Sequence, residues 1–175
     1  MSSDRGRFTE EVILTLMAVS LGVIEGMVPK PIPFLRPGLA NIATVAGILR
    51  IGPAAGIRIN LFRSVGAAIF LGTLATPTFV LSLSGGLASA MVMGWTRNLF
   101  SVTGLSVAGS LASISAQLGA ASMVLPGLPL QALLLPAVAW GTLAGLITGI
   151  SAGLLLRRGF PWTGPGGVDS VQPLT

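Results

Sequence analysis

A few polar side chains interrupt long apolar stretches of this sequence, and their chemistry is the first clue to what the chain does. Asn60 and Arg63 are spaced i, i+3, so they share one face of a predicted helix. Gly56 and Ala67 are their small neighbours on that face. At 1.5 Å per residue, Arg63 lies about 13 Å along a helix that begins at Ala54, near the middle of a bilayer. A guanidinium at that depth could bind a carboxylate or a phosphate, because its planar fork matches both.

Glu25 is the one acidic residue inside the apolar region. A charge in hydrocarbon costs several kcal/mol unless it finds a partner or water. Two interpretations of Arg63 therefore stay open. It pairs with Glu25 as a lock that holds the fold, or the two side chains belong to a solute site, and both can be true together.

Two amides are further candidates for solute contact. Gln117 follows a stripe of hydroxyl residues on the predicted fifth helix, and a primary amide cannot satisfy all its donors and acceptors on its own helix. It either joins helices or contacts a ligand. Asn41 lies just inside the second apolar stretch, where it caps a broken helix or faces the solute. The hydroxyl stripe comprises Thr103, Ser106, Ser110 and Ser113.

Lys30 and Arg36 lie in a proline-rich segment between the first two apolar stretches. They could attract an anionic solute to an entrance above the membrane. The alternative is that they only anchor the segment at the membrane interface.

The composition is that of a membrane protein and excludes several kinds of enzyme. Of 175 residues, 52% are hydrophobic, only 9% are charged and 24 are glycine. The chain has no Cys, His or Tyr, so thiolate and imidazole metal sites and nucleophiles are absent. A single acid in the apolar region leaves no carboxylate pair for acid/base catalysis. We expect no enzymatic activity, no metal and no cofactor.

The net charge of +5 comes from basic residues scattered between apolar runs. This pattern suits lipid headgroups, and we expect no nucleic-acid partner.

Six apolar stretches predict an all-α integral membrane protein of about six transmembrane helices. They cover residues 12–28, 38–49, 54–74, 79–95, 102–125 and 130–156. The second is short and bounded by arginine and proline, so it is predicted to be tilted, broken or re-entrant. The predicted organisation is a cytoplasmic N-terminal segment at 1–11, a six-helix membrane domain at 12–158 and a disordered cytoplasmic tail at 159–175.

Small residues form a stripe on the first predicted helix at Ala18, Gly22 and Gly26. Such a stripe permits close contact between helices, either inside the protein or with a partner.

Several motifs together resemble the Gx transporter family, which is also labelled heptaprenyl diphosphate synthase component I. They are GLANI at 38–42, FRS at 62–64, GTL at 72–74, PTF at 77–79, LSLSGGL at 81–87 and the later Gln117. The resemblance covers roughly residues 12–156. The sequence departs from the family pattern at Ser113 and Ile114, where that pattern has a His-Asn pair, so the solute specificity is expected to differ.

This family is similar to the substrate-capturing S components of energy-coupling factor (ECF) transporters. The resemblance implies a six-helix bundle that binds a small metabolite, anionic or amphipathic here, from outside the cell. A separate transmembrane coupling subunit and ATPase subunits would supply the energy. It also implies that Ala18, Gly22 and Gly26 dock the coupling subunit.

The family's second label implies an alternative, a noncatalytic membrane component associated with prenyl diphosphate synthesis. Prenyl transfer itself needs clustered Asp residues to hold magnesium, and no Asp occurs between Asp4 and Asp169.

The distribution of basic residues predicts that both termini face the cytoplasm of a cell-membrane protein, because positive charge is retained on that side. In this orientation, Lys30 and Arg36 face the outside of the cell. Arg63 lies within the third predicted helix, and the remaining basic residues face the cytoplasm. Those inside are Arg5, Arg7, Arg50, Arg58, Arg97, Arg157 and Arg158.

A cysteine introduced at Ser2 or at Ser170 should therefore be protected from a membrane-impermeant thiol reagent in intact cells. Labelling at both positions would contradict the predicted orientation.

Overall fold

The computed structural model describes residues 2–27, 38–124 and 130–157, and these residues form six α-helices. No strand occurs within those ranges, so the predicted all-α class is confirmed. The predicted tail at 159–175 lies outside them. The helices are α1 (Ser2–Met27), α2 (Asn41–Arg50), α3 (Pro53–Phe70), α4 (Pro77–Thr96), α5 (Val102–Val124) and α6 (Leu130–Arg157).

Glycine and proline set the helix ends in the first half of the bundle. Gly52 has φ +138°, a conformation that side chains rarely adopt, and its amide donates to the Gly47 carbonyl at 3.1 Å. Pro53 then occupies the first turn of α3, where its missing N–H has no helical partner to lose. Pro77 begins α4 in the same way. These residues therefore set the end of α2 and the beginnings of α3 and α4.

The short helix α2 lies in the centre of the bundle. Seven of its ten residues are buried, and it contacts each of the other five helices. Ten residues span about 15 Å, half the thickness of a bilayer core. The prediction that this segment does not simply cross the membrane agrees with its length.

Three of the six helices are long and apolar enough to cross a membrane, which indicates a membrane protein. They are Pro77–Thr96, Val102–Val124 and Ala132–Leu156, with mean hydropathies of 1.4, 1.3 and 1.8. About six such spans were predicted. The structure has six helices in its described part, and three of them are long and apolar enough to cross a membrane. The difference arises because α1 and α3 carry charged side chains and α2 is too short.

Two ion pairs join the first half of α1 to the end of α2 and to α3. Glu10 lies 2.7 Å from the Arg50 guanidinium, and Glu11 pairs with Arg58 through two bonds of 2.6 and 2.7 Å. The hydrogen bonds from Arg58 hold the pKa of the Glu11 carboxyl below its usual range. α1 itself begins at Ser2 and therefore includes the charged segment that precedes the predicted apolar stretch.

Close glycine contacts join α5 and α6. Gly141, Gly145 and Gly149 recur every four residues on α6 and face α5. A Cβ at Gly145 would lie 2.7 Å from the Val107 Cα, and one at Gly149 would lie 2.7 Å from the Thr103 Cα. These neighbours are backbone atoms, so they cannot move aside. The two helices therefore pack at a distance that only glycine permits.

Gly145→Ala is expected to lower the free energy of unfolding by about 1–3 kcal/mol, because the new methyl group would overpack the α5–α6 contact. Gly153→Ala is the matched control, since a Cβ there meets nothing within 4 Å. Alanine is the better helix former by about 1 kcal/mol, so the control should be neutral or stabilised. Thermal unfolding in detergent measures both. Equal melting temperatures for the two variants would contradict the packing described.

Candidate functional site

A polar pocket lies between all the helices of the bundle. The cavity offers about 40 Å³ to water-sized molecules. Its empty space is about 510 Å³ when the mouth is included. In this conformation it therefore accommodates a small polar group. Its walls are formed by Glu25, Gly38, Asn41, Arg63, Ser82, Gly86, Ser110, Ser113, Ile114, Gln117, Gly141 and Ala144.

Glu25 is held in the wall by the beginning of α2. The side chain is 4% exposed, and its Oε1 accepts a hydrogen bond from the Ala40 amide at 3.3 Å. Ala40 precedes the first residue of α2. The positive end of the helix dipole favours a carboxylate at this position. The turn that presents the amide depends on Gly38, which has φ +78° and also lines the pocket.

Arg63 and Asn60 approach the α4 backbone at Gly86. A Cβ placed on Gly86 would lie 2.9 Å from Asn60 Oδ1 and 3.3 Å from the Arg63 Nη2. Glycine at this position therefore leaves room for a guanidinium and an amide beside α4. The aliphatic part of Arg63 packs next to α1, because a Cβ on Gly22 would lie 3.4 Å from Arg63 Cγ.

Gln117 approaches the α4 backbone closely at the neighbouring glycine, Gly85. A Cβ on Gly85 would lie 2.6 Å from Gln117 Nε2 and 2.8 Å from the Ser113 Oγ. The Nε2 group donates to that Ser113 hydroxyl at 2.9 Å. The amide oxygen has no hydrogen-bond partner among the described residues, although the side chain is only 5% exposed. A buried acceptor without a partner is costly, so this oxygen is suited to a ligand donor or a water.

Two amide contacts tie α2 to its neighbours beneath the pocket. Asn41 donates to the Ser89 hydroxyl of α4 at 3.2 Å, and Asn60 donates to the Thr44 hydroxyl at 3.1 Å. All four side chains are buried. The bonds fix α2 against α3 and α4 and so position the residues of the pocket wall.

The structure brings together four of the predicted solute-binding residues, which are Glu25, Asn41, Arg63 and Gln117. Asn60 is fully buried and lies beside the pocket at Gly86. The predicted entrance residues Lys30 and Arg36 lie outside the described residues. Arg63 and Glu25 share one pocket wall, and their direct pairing stays a prediction.

The small-residue stripe of α1 packs against helices of its own chain. Ala18 is completely buried in a cluster with Ala43, Ala46 and Ile59. A Cβ on Gly22 would lie 3.4 Å from the Ala67 Cβ of α3. Ala18 thus contributes to internal packing, and docking of a partner at this residue stays a prediction.

Gly22 and Gly26 line a second pocket, which lies between α1, α3 and α4 and has about 600 Å³ of empty space with its mouth included. Docking of a partner at these two glycines stays a prediction.

Gly85 and Gly86 support the site, a role that was not predicted, because nothing in the sequence indicates that the groups approaching these glycines are polar. Thr44 and Ser89 were also missed, because single hydroxyls on apolar helices give no distinct signal.

No group of three or more His, Cys, Asp or Glu residues that could hold a metal ion occurs in the described part of the chain.

Comparison with known proteins places the chain in a family. The model of the family described as heptaprenyl diphosphate synthase component I matches residues 14–155. The chain belongs to that family. The match includes every described residue of the pocket wall. Neither the curated proteins nor the solved structures gave a significant match.

Thr44→Val is expected to destabilise the bundle by about 1–3 kcal/mol, because it leaves the buried Asn60 amide without its acceptor. Thr142→Val is the matched control, since Thr142 is exposed and its hydroxyl bonds only to the Val138 carbonyl of its own helix. Thermal unfolding compares the two variants. A destabilisation by Thr142→Val as large as that by Thr44→Val would argue against a supporting role for the Asn60–Thr44 bond.

Proposed function

We propose that this member of the heptaprenyl diphosphate synthase component I family is a noncatalytic, membrane-embedded subunit that binds a small solute for uptake. The observation that carries the proposal is the polar pocket in the interior of an otherwise apolar helix bundle. Polar groups at such a depth are costly, so their convergence on one cavity favours a functional site over chance.

Arg63 is proposed to bind the anionic part of the solute. Among the described residues of the pocket wall, it is the one cationic side chain. Gly86 leaves space for its guanidinium beside α4, and the planar donor set of that group matches a carboxylate or a phosphate. Glu25, Asn41 and Gln117 are proposed to contact other polar atoms of the solute, with Asn60 supporting them.

Energy for uptake is proposed to come from a separate transmembrane coupling subunit with ATPase subunits, as in the ECF transporters that the sequence resembles. The sequence contains no phosphate-binding loop of the G-x-x-x-x-G-K-[ST] type, so nucleotide hydrolysis would fall to another chain. A cell-membrane location with both termini inside belongs to the same proposal.

The family name favours one alternative, a noncatalytic membrane component of prenyl diphosphate synthesis. Affinity purification in mild detergent separates the two functions. Recovery of a membrane coupling protein together with ATPases supports uptake, and recovery of a soluble prenyl diphosphate synthase supports the alternative.

The binding role of Arg63 is tested by measuring the small molecules that the purified protein retains, using untargeted mass spectrometry. Arg63→Lys keeps the charge but loses the planar fork, so retention of the bound molecule should fall at least about tenfold. Arg58→Lys is the matched control, because Arg58 pairs with Glu11 away from the pocket.

The competing interpretation, in which Arg63 only locks the fold, gives a different result. In that case Arg63→Lys would lower the melting temperature but leave the amount of retained molecule per folded protein unchanged. That result would remove the binding role of Arg63.

A further inference from the structure

Among the described residues, the pocket wall contains one acid and one base, Glu25 and Arg63. The formal charges of these two residues sum to zero. A site for a simple anion gains nothing from a buried carboxylate in its wall, because that carboxylate repels the ligand's charge. The presence of Glu25 therefore restricts which solutes the pocket accepts.

The Glu25 carboxylate has more acceptor positions than its hydrogen bond with the Ala40 amide uses. The Ala40 amide bonds to Oε1 at 3.3 Å, a long contact, whereas an ionised carboxylate offers about four acceptor positions. Its position at the start of α2 keeps the negative charge favourable. The carboxylate can thus face the pocket as an acceptor while it retains its contact with α2.

An independent observation points the same way. Gln117 Oε1 is a buried acceptor without a partner among the described residues, and Gln117 lines the same pocket. Two acceptors of different chemistry, one from α1 and one from α5, therefore lie in the wall that also contains the Arg63 guanidinium.

From this arrangement, and resting on the proposed function, we infer that the solute is dipolar. It has an anionic group for Arg63 and an ammonium or other N–H donor for Glu25 and Gln117. Such a solute complements both charges of the wall, whereas an anion without a donor is repelled by Glu25 and leaves the Gln117 oxygen without a partner. Because Glu25, Arg63 and Gln117 line the same cavity, one small molecule can carry both groups.

The test uses two sets of small probes with matched skeletons. The first is β-alanine, propionate and propylamine, and the second is taurine, ethanesulfonate and ethylamine. Each is titrated into the purified full chain in detergent at pH 7, and binding is measured from the shift in melting temperature. We expect the zwitterion of at least one set to bind about tenfold more tightly than its acid and its amine.

Glu25→Gln is the decisive variant. Its Oε1 can still accept the Ala40 hydrogen bond, so the start of α2 keeps its contact while the charge is lost. The preference of the zwitterion over the acid should fall to less than about twofold, with the melting temperature of the free protein close to that of the parent. Glu11→Gln is the control, because it removes a carboxylate away from the pocket and should leave the preference unchanged.

The remaining outcomes separate this inference from the proposed function. If the acids bind as well as the zwitterions and Arg63→Lys weakens them, the dipolar solute is wrong and the anion-binding function stands. If no probe of any class shifts the melting temperature, both the dipolar solute and the Arg63 site are contradicted. If the preference persists in Glu25→Gln, Glu25 is not the group that selects the solute.

Discussion

Burial of polar groups around the ten-residue helix α2 is the constraint on which this structure depends. α2 has no apolar length with which to cross a bilayer, and its neighbours remove it from water on every side. Its polar groups must therefore be satisfied by other helices. Glu25 accepts a hydrogen bond from the Ala40 amide at the beginning of α2, and Asn60 and Ser89 bond to α2 side chains. The turn at Gly52-Pro53 ends the helix.

The same constraint produces the pocket. A helix that ends in the interior leaves space beyond its first residue, and the side chains that satisfy that end become the lining of the space. Glu25 is an example, because it both contacts the start of α2 and faces the cavity. On the opposite side, Gly85 and Gly86 let Gln117 and Arg63 approach α4 from two directions. The stability of the bundle and the chemistry of its proposed site thus use the same residues.

Much of this arrangement follows from the sequence. The helix ends at Gly52-Pro53 and Pro77 are local properties of glycine and proline, and the short second segment is visible in the length of its apolar run. The polar residues were found individually because hydrocarbon makes each of them exceptional. Their meeting in one pocket was not predictable in the same way, because it depends on which helices become neighbours.

Other features escaped prediction for physical reasons. The ion pairs of Glu10 with Arg50 and of Glu11 with Arg58 join residues far apart in the chain, so the sequence did not predict them. The expectation of six spans counted apolar runs without weighing the charges in α1 and α3, and three helices qualify. The glycine repeat of α6 is visible in the sequence, but its backbone contact with α5 emerges only from the packing.

The most direct test of the account is an experimental structure of the full chain with its copurified solute. We expect density for a small molecule in the pocket between the six helices, with an anionic group within hydrogen-bond distance of the Arg63 guanidinium. We also expect a donor group near Gln117 Oε1. A solute bound elsewhere, with Arg63 contacting protein groups alone, would contradict the central claim that this pocket is the solute site.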